Sequence, residues 1–266
     1  MPSAGRVRYL EAPPSGSGRP RGTLVLLHAF PLNARMWEPQ LALADHGWRV
    51  LAPHYRGMDG AIQDPPAASI DDYAGDVIDL LDSLHIEDAV IGGLSLGGYV
   101  AFALFRHAPR YVRGIVLADT RSQADPPEAA EGRTRLLSAV REKGPSAAAD
   151  EMVPRLLGET TRKERPDVVE RVRALILSNP AAAIAGAITA IMTRPDSTPL
   201  LASIHCPTLI VVGEQDTLTP PPMSRDMQRG IPGSELVVVP KAGHLSSLEQ
   251  PSAFNDALAR FLEHRL

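Results

Sequence analysis

The segment Ile91-Gly92-Gly93-Leu94-Ser95-Leu96-Gly97-Gly98 constrains the fold more than any other part of the chain. It joins a short apolar run, Asp88–Leu94, to a helix-prone one, Leu96–His107, and places a serine between glycines two residues away on either side. A strand-to-helix turn that tight strains the backbone at its centre and crowds the residues two before and two after it. Glycine at 93 and 97 removes the Cβ atoms that would collide. Such a turn lifts the Ser95 hydroxyl clear of a sheet. It also leaves the Leu96 N–H at a helix N-terminus, where developing negative charge is favoured. Two other uses of glycine-rich turns do not fit. Leu94 breaks the register of a dinucleotide-binding Gly-x-Gly-x-x-Gly, and no lysine follows as a phosphate loop requires.

The rest of the chain repeats the strand-then-helix rhythm. Arg6–Tyr9 reads as a short first strand, followed by a Pro/Gly/Ser turn region over 13–22. Thr23–His28 and Arg49–His54 are continuous apolar runs, which suit strands buried on both faces, and Met36–His46 between them has helical spacing. Asp71 and Asp72 open a helix over Tyr73–Leu84 with Val77, Leu80, Leu81 and Leu84 on one stripe. Gly114–Ala118, Thr208–Val212 and Leu236–Val239 read as further strands, and Pro251–Arg265 as the last helix. This alternation predicts an α/β fold with a mainly parallel central sheet and helices on both faces.

Between Asp119 and Ser203 the alternation stops. Glu128–Lys143, Ala147–Leu157, Pro166–Ser178 and Pro180–Met192 are helix-prone, and a bare loop of that length inside a compact domain is implausible. We expect a core domain over 1–121 and 200–266, with 122–199 an inserted helical cap whose removal leaves the core strands intact. Because the insertion is rich in Ala, Leu, Val and Ile, an apolar pocket for short-to-medium acyl groups is expected beneath it.

Charge and composition exclude other classes. The net charge of −4 gives no electrostatic reason to bind nucleic acid or an anionic membrane. The single cysteine, Cys206, cannot form an intrachain disulfide and is expected to be a small buried hydrophobe. No Cys/His cluster has zinc spacing, so neither a metal nor another cofactor is expected. Pro180–Met192 is too short to span a bilayer. Met1–Gly22 lacks the apolar core of a signal peptide, and a cytoplasmic location follows as the expectation.

Two residues downstream suit the serine. After the strand at 208–212 comes Asp216, and after the strand at 236–239 comes His244. In a parallel sheet every strand ends on the same edge, so Ser95, Asp216 and His244 meet there although they are far apart in sequence. Serine, then acid, then histidine is also the chain order of hydrolases with a serine at such an elbow. Asp119, just after another strand, and Glu214 are rivals for the acid. The loop His28-Ala29-Phe30-Pro31 follows the first long strand, where the second oxyanion donor of such sites arises. The Phe30 and Leu96 N–H groups are therefore the expected oxyanion hole, with His28 bonding the loop backbone.

Together these residues resemble the α/β-hydrolase superfamily over nearly the whole chain. Within it, Met36-Trp37, Gly93-Leu94-Ser95 and His244-Leu245-Ser246 through Glu249-Gln250-Pro251 are similar to small bacterial carboxylesterases and 3-oxoadipate enol-lactone hydrolases. The resemblance implies a serine hydrolase acting on a small-molecule ester or lactone through an acyl-enzyme. Alternatives are a lactonase of the enol-lactone type, a cofactor-free haloperoxidase or perhydrolase, and a hydrolase-fold protein that binds a ligand without turnover. Leu94 and Leu245 stand where carbon–carbon bond hydrolases usually have Asn and Trp. Ser95 stands where epoxide hydrolases and haloalkane dehalogenases need Asp.

Overall fold

The computed structural model describes residues 2–4, 6–15, 20–58, 67 and 69–266. Part of the turn region expected over 13–22 thus lies outside the described residues, at 16–19. The strands are β1 (Ser3–Ala4), β2 (Val7–Ala12), β3 (Gly22–Leu27), β4 (Trp48–Pro53), β5 (Ala89–Leu94), β6 (Val112–Ala118), β7 (Thr208–Gly213) and β8 (Glu235–Val239). They form one sheet in the order β1-β2-β4-β3-β5-β6-β7-β8. From β4 to β8 every pairing is parallel, while β1 and β2 add an antiparallel hairpin at one edge. All residues of β5 and β7 are buried, which explains why both read as unbroken apolar runs rather than alternating ones.

Helices α1 (Ile70–Ser83) and α2 (Leu96–His107) pack together against the sheet. On its other side a 3-10 helix over Ala34–His46 packs against α10 (Pro251–Arg265) through Trp37 and Phe254. The sequence predicts an ordinary helix from Met36. The observed one starts earlier, where the Asn33 side chain accepts from the Arg35 N–H, and contains Pro39, which supplies no backbone donor. Helix α1 likewise begins before Tyr73. The start is set by Ser69, whose hydroxyl accepts from the Asp72 N–H while Asp72 accepts from the Ser69 N–H.

The stretch between β6 and β7 holds helices α3 (Pro127–Lys143), α4 (Pro145–Leu156), α5 (Glu159–Glu164), α6 (Pro166–Leu177) and α7 (Ala181–Met192). Of these, α5 has no counterpart in the sequence reading, being short and polar. Helix α8 (Pro221–Gly230) links β7 to β8, and α9 (Ser246–Glu249) precedes α10. No single helix among the described residues is long and apolar enough to cross a membrane. Cys206 is only half-buried, against expectation, because it stands ahead of β7 rather than in it.

The strand order fixes where a ligand can sit. From β3 the chain moves to β4 on one side, and β5 then lies on the other side of β3. Connections leaving β3 and β5 in opposite directions open a crevice at their carboxyl ends. Phe30 and Ser95 follow those two ends.

Candidate active site

Ser95 occupies the one-residue turn between β5 and α2 at φ 56° and ψ −110°, a conformation that costs a non-glycine residue about 1–3 kcal/mol. The neighbours hold it there. Its N–H donates to the Ala118 carbonyl at 2.9 Å, and its carbonyl accepts from the Thr120 hydroxyl at 2.8 Å. An added Cβ at Gly93 would lie 2.1 Å from the Gly97 carbonyl oxygen. One at Gly97 would meet the Leu27 oxygen at 2.1 Å, so the second glycine is required by β3 as well as by the turn.

His244 follows β8 and Asp216 follows β7. The Ser95 hydroxyl lies 2.8 Å from His244 Nε2, and His244 Nδ1 lies 2.8 Å from Asp216 Oδ2. With the proton on Nδ1, the imidazole donates to Asp216 and presents an acceptor to the serine. Asp216 also accepts from the Leu218 and Thr219 N–H groups at 2.8 and 3.0 Å, and from the Thr219 hydroxyl at 2.6 Å. Burial alone would lower the His244 pKa. The Asp216 carboxylate and its hydrogen bond outweigh that, so the net shift is upward. Asp216 shifts downward for the converse reason, its burial being overcome by His244 and the Thr219 donors.

Neither rival acid reaches the histidine ring. Glu214 is exposed and accepts from the Lys241 N–H at 3.1 Å. Asp119 is fully buried one layer away, where it accepts from the Gly213 N–H at 2.7 Å and bonds the Ser246 hydroxyl at 2.5 Å. It braces the ends of β6 and β7 against the residues after His244. Burial first, and then the Asp216 charge, push its pKa well above the usual carboxylate range.

The loop carrying Phe30 is pinned on both sides. His28 is fully buried, with Nδ1 donating to the Ala29 carbonyl at 3.1 Å and Nε2 accepting from the Tyr55 N–H at 3.2 Å. Those partners require the neutral ring, and burial accordingly lowers its pKa to about 3. Beyond Phe30, the Asn179 side chain donates to the carbonyls of Pro31 and Leu32 at 2.8 and 3.1 Å. Leu96 opens α2, where first-turn N–H groups have no intrahelical acceptor.

Sequence reasoning names Glu249 within a segment of resemblance but gives it no role. It is fully buried and accepts from the N–H groups of Gly243 (2.9 Å), Leu245 (3.1 Å) and Gly158 (2.8 Å). It thus grips His244 from both sides and ties it to the junction of α4 and α5. The backbone approach there is close, since a Cβ on Gly243 would stand 2.2 Å from the Gly158 nitrogen. The His244 N–H donates to the Leu156 carbonyl in the same junction at 3.1 Å.

A cavity of about 320 Å³ opens over Ser95 and His244, lined by Phe30, Tyr99, Leu218 and residues of α3 and α4. Its wall is mixed, apolar in part and charged in part, rather than the apolar pocket expected. Ala183, Ile184, Ala187 and Ile188 of α7 are buried in the core and Ile191 alone of that helix lines the cavity, whose wall is otherwise α3 and the end of α4, with Leu136, Met152 and Leu156 beside charged side chains. Arg121, Asp125, Glu128, Arg133, Glu151 and Arg155 all contribute to it. Among the described residues no cluster of His, Cys, Asp and Glu has the makings of a metal site.

An eight-stranded, mostly parallel sheet with a serine at such an elbow defines the class, and residues 22–251 match the family described as alpha/beta hydrolase fold. The chain belongs to that family. It is 29% identical over 238 residues to 3-oxoadipate enol-lactonase 2 of Acinetobacter baylyi, covering 90% of this chain and 87% of that protein. A thermophilic esterase from Thermogutta terrifontis, solved with malate bound, is 38% identical with a TM-score of 0.90, covering 97% of this chain and 93% of the other. The enol-lactonase from Burkholderia xenovorans LB400 is 26% identical with a TM-score of 0.86, covering 97% and 96%.

Proposed function

We propose that this protein is a serine hydrolase that cleaves carboxylic esters or lactones, with Ser95 as nucleophile, His244 as general base and Asp216 as the orienting acid. The observation that carries the reading is the unbroken Ser95–His244–Asp216 relay, 2.8 Å at each link, at the floor of a cavity. His244 Nε2 takes the Ser95 proton as Oγ attacks the substrate carbonyl carbon, and Asp216 stabilises the imidazolium. The Leu96 and Phe30 N–H groups hold the resulting oxyanion. The imidazolium then protonates the leaving oxygen, which departs as alcohol. Water attacks the acyl-enzyme, gives its proton to His244 and releases the acid, with Ser95 regaining its hydrogen. Residues 122–199 serve as the cap that shapes the cavity and keeps water from the oxyanion.

Esterase and enol-lactonase relatives both support hydrolysis of an acyl–oxygen bond. Rates on a panel of p-nitrophenyl esters beside five- and six-membered lactones test the reading and rank the two substrate types. Ser95→Ala should abolish turnover and block labelling by a serine-reactive phosphonate while leaving the circular dichroism spectrum unchanged. Undiminished turnover in that variant would remove Ser95 from the mechanism.

A further inference from the structure

We infer that the substrate carries a free carboxylate, held in the cavity by Arg133 and Arg121. The inference rests on the proposed hydrolase reading and deepens it.

Three guanidiniums converge on one acid above Ser95: Arg121, Arg133 and Arg194 all pair with Asp125. Burial would raise the Asp125 pKa, but the Arg194 hydrogen bond and the three positive charges hold it at about 2. It is therefore ionised and supplies a single negative charge against three positive ones.

Arg194 alone suffices as its structural partner. The side chain is only 3% exposed and lies over the Tyr99 ring at 4.1 Å. Its Nη groups are used on Asp125 and on the carbonyls of Gln123 and Ile191. Arg121 and Arg133 are in excess, and both line the cavity that holds Ser95. Arg133 bonds Asp125 through Nε alone, which leaves its Nη fork unused within the cluster. The Arg121 Nε is buried without a partner.

The remaining rim charges do not cancel the surplus. Arg155 pairs with Glu151 and Arg135 with Glu131, so Glu128 is left as one negative charge against two positive ones. Half-buried guanidinium donors facing a small cavity are costly unless an anion meets them, and a planar fork matches a carboxylate. The cluster lies beside the proposed reaction centre. The Arg133 guanidinium lies 5.9 Å from the centre of the Phe30 ring, and the Phe30 N–H is the proposed donor to the acyl carbonyl oxygen.

The test compares p-nitrophenyl hydrogen adipate with p-nitrophenyl hexanoate, which have equal acyl length and differ in the terminal charge. The expected kcat/KM is about tenfold higher for the charged ester, mostly through KM, and the preference shrinks as salt rises to about 0.5 M. Arg133→Gln should lower kcat/KM for the half-ester about tenfold more than for the hexanoate. Binding of adipate to Ser95→Ala protein, followed by calorimetry, reads the same subsite without turnover. Cleavage of both esters at equal kcat/KM, with no adipate binding, overturns the anion subsite and leaves the hydrolase reading standing. Adipate binding that Arg133→Gln weakens, with neither ester cleaved, supports the subsite and sinks the hydrolase reading. Neither cleavage nor binding sinks both.

Discussion

Replacing Glu249 by Gln changes one oxygen to an amide nitrogen and nothing else in shape, so its cost follows from the hydrogen bonds. The carboxylate is fully buried and accepts three backbone N–H groups, two on Oε1 and one on Oε2. The amide oxygen can replace Oε1 and keep Gly243 and Leu245. Its NH2 then faces the Gly158 N–H across a contact that was 2.8 Å, donor against donor. One charge-assisted bond is lost, worth about 1.5–3 kcal/mol, and a buried N–H is left unpaired. We expect a destabilisation of about 2–4 kcal/mol. With a urea slope near 3 kcal/mol per molar, the unfolding midpoint should fall by about 1 M.

The same substitution should move the pH profile. Burial lowers the His244 pKa, but the carboxylates of Asp216, Asp119 and Glu249 raise it above the ordinary 6.5, in that order of size. In the proposed mechanism the base acts only when neutral, so activity should be lost as pH falls through that raised value. Removing the Glu249 charge lowers it, and the acid limb of kcat/KM should shift to lower pH while kcat drops because the loop is less firmly held. Urea melts followed by tryptophan fluorescence and a pH–rate series give both readouts. A midpoint unchanged within about 0.3 M, together with an unmoved acid limb, would refute the bracing role.

The other predictions are simpler. Asp216→Asn should cut kcat by about 10⁴ and lower the His244 pKa, read by ring-proton NMR, because it removes the largest of the influences that raise it. Asp119→Asn should cost far less, since Asp119 bonds Gly213 and Ser246 rather than the imidazole; a crippled Asp119→Asn enzyme with an active Asp216→Asn would reverse the assignment. Gly93→Ala should destabilise by about 3 kcal/mol or more, or yield insoluble protein, because its Cβ would stand 2.1 Å from a backbone oxygen that cannot move freely. A Gly93→Ala protein melting within about 2 °C of the wild type would show that the elbow is looser than drawn.

Which parts of this site are legible in the sequence depends on the range of the force that specifies them. Gly93, Ser95 and Gly97 constrain one another within five residues, so the elbow can be read from the string itself. Asp216 and His244 are found because parallel topology gathers strand ends on one edge, and chain order favours Asp216 while leaving Asp119 a rival, since both follow strands. The acids differ only in which neighbour each meets, the imidazole for one and Ser246 for the other. Glu249, Asn179 and Asp125 are illegible for a further reason. Glu249 and Asn179 bind backbone groups, which every residue type possesses, and Asp125 meets Arg194 across the whole length of the insertion. The charged part of the pocket wall is illegible because composition over the whole insertion does not tell which face of each helix is turned inward: most apolar residues of α7 face the core, and α3 turns charged residues to the cavity.

The braces also revise the idea that residues 122–199 form a removable lid. The strands all lie outside that segment. Yet Leu156 and Gly158 supply an acceptor to the His244 N–H and a donor to Glu249, and Asn179 donates to the carbonyls of Pro31 and Leu32. The inserted segment therefore bonds both to the loop that carries His244 and to the loop that carries Phe30. A sheet stripped of them would keep its strands but would leave the buried Glu249 carboxylate and the Pro31 carbonyl short of partners, at a cost of about 1–3 kcal/mol each. In this chain the insertion is part of what positions the proposed catalytic groups, through Leu156, Gly158 and Asn179. The anchored junctions at 156–158 and 179 cannot swing without moving the machinery they hold.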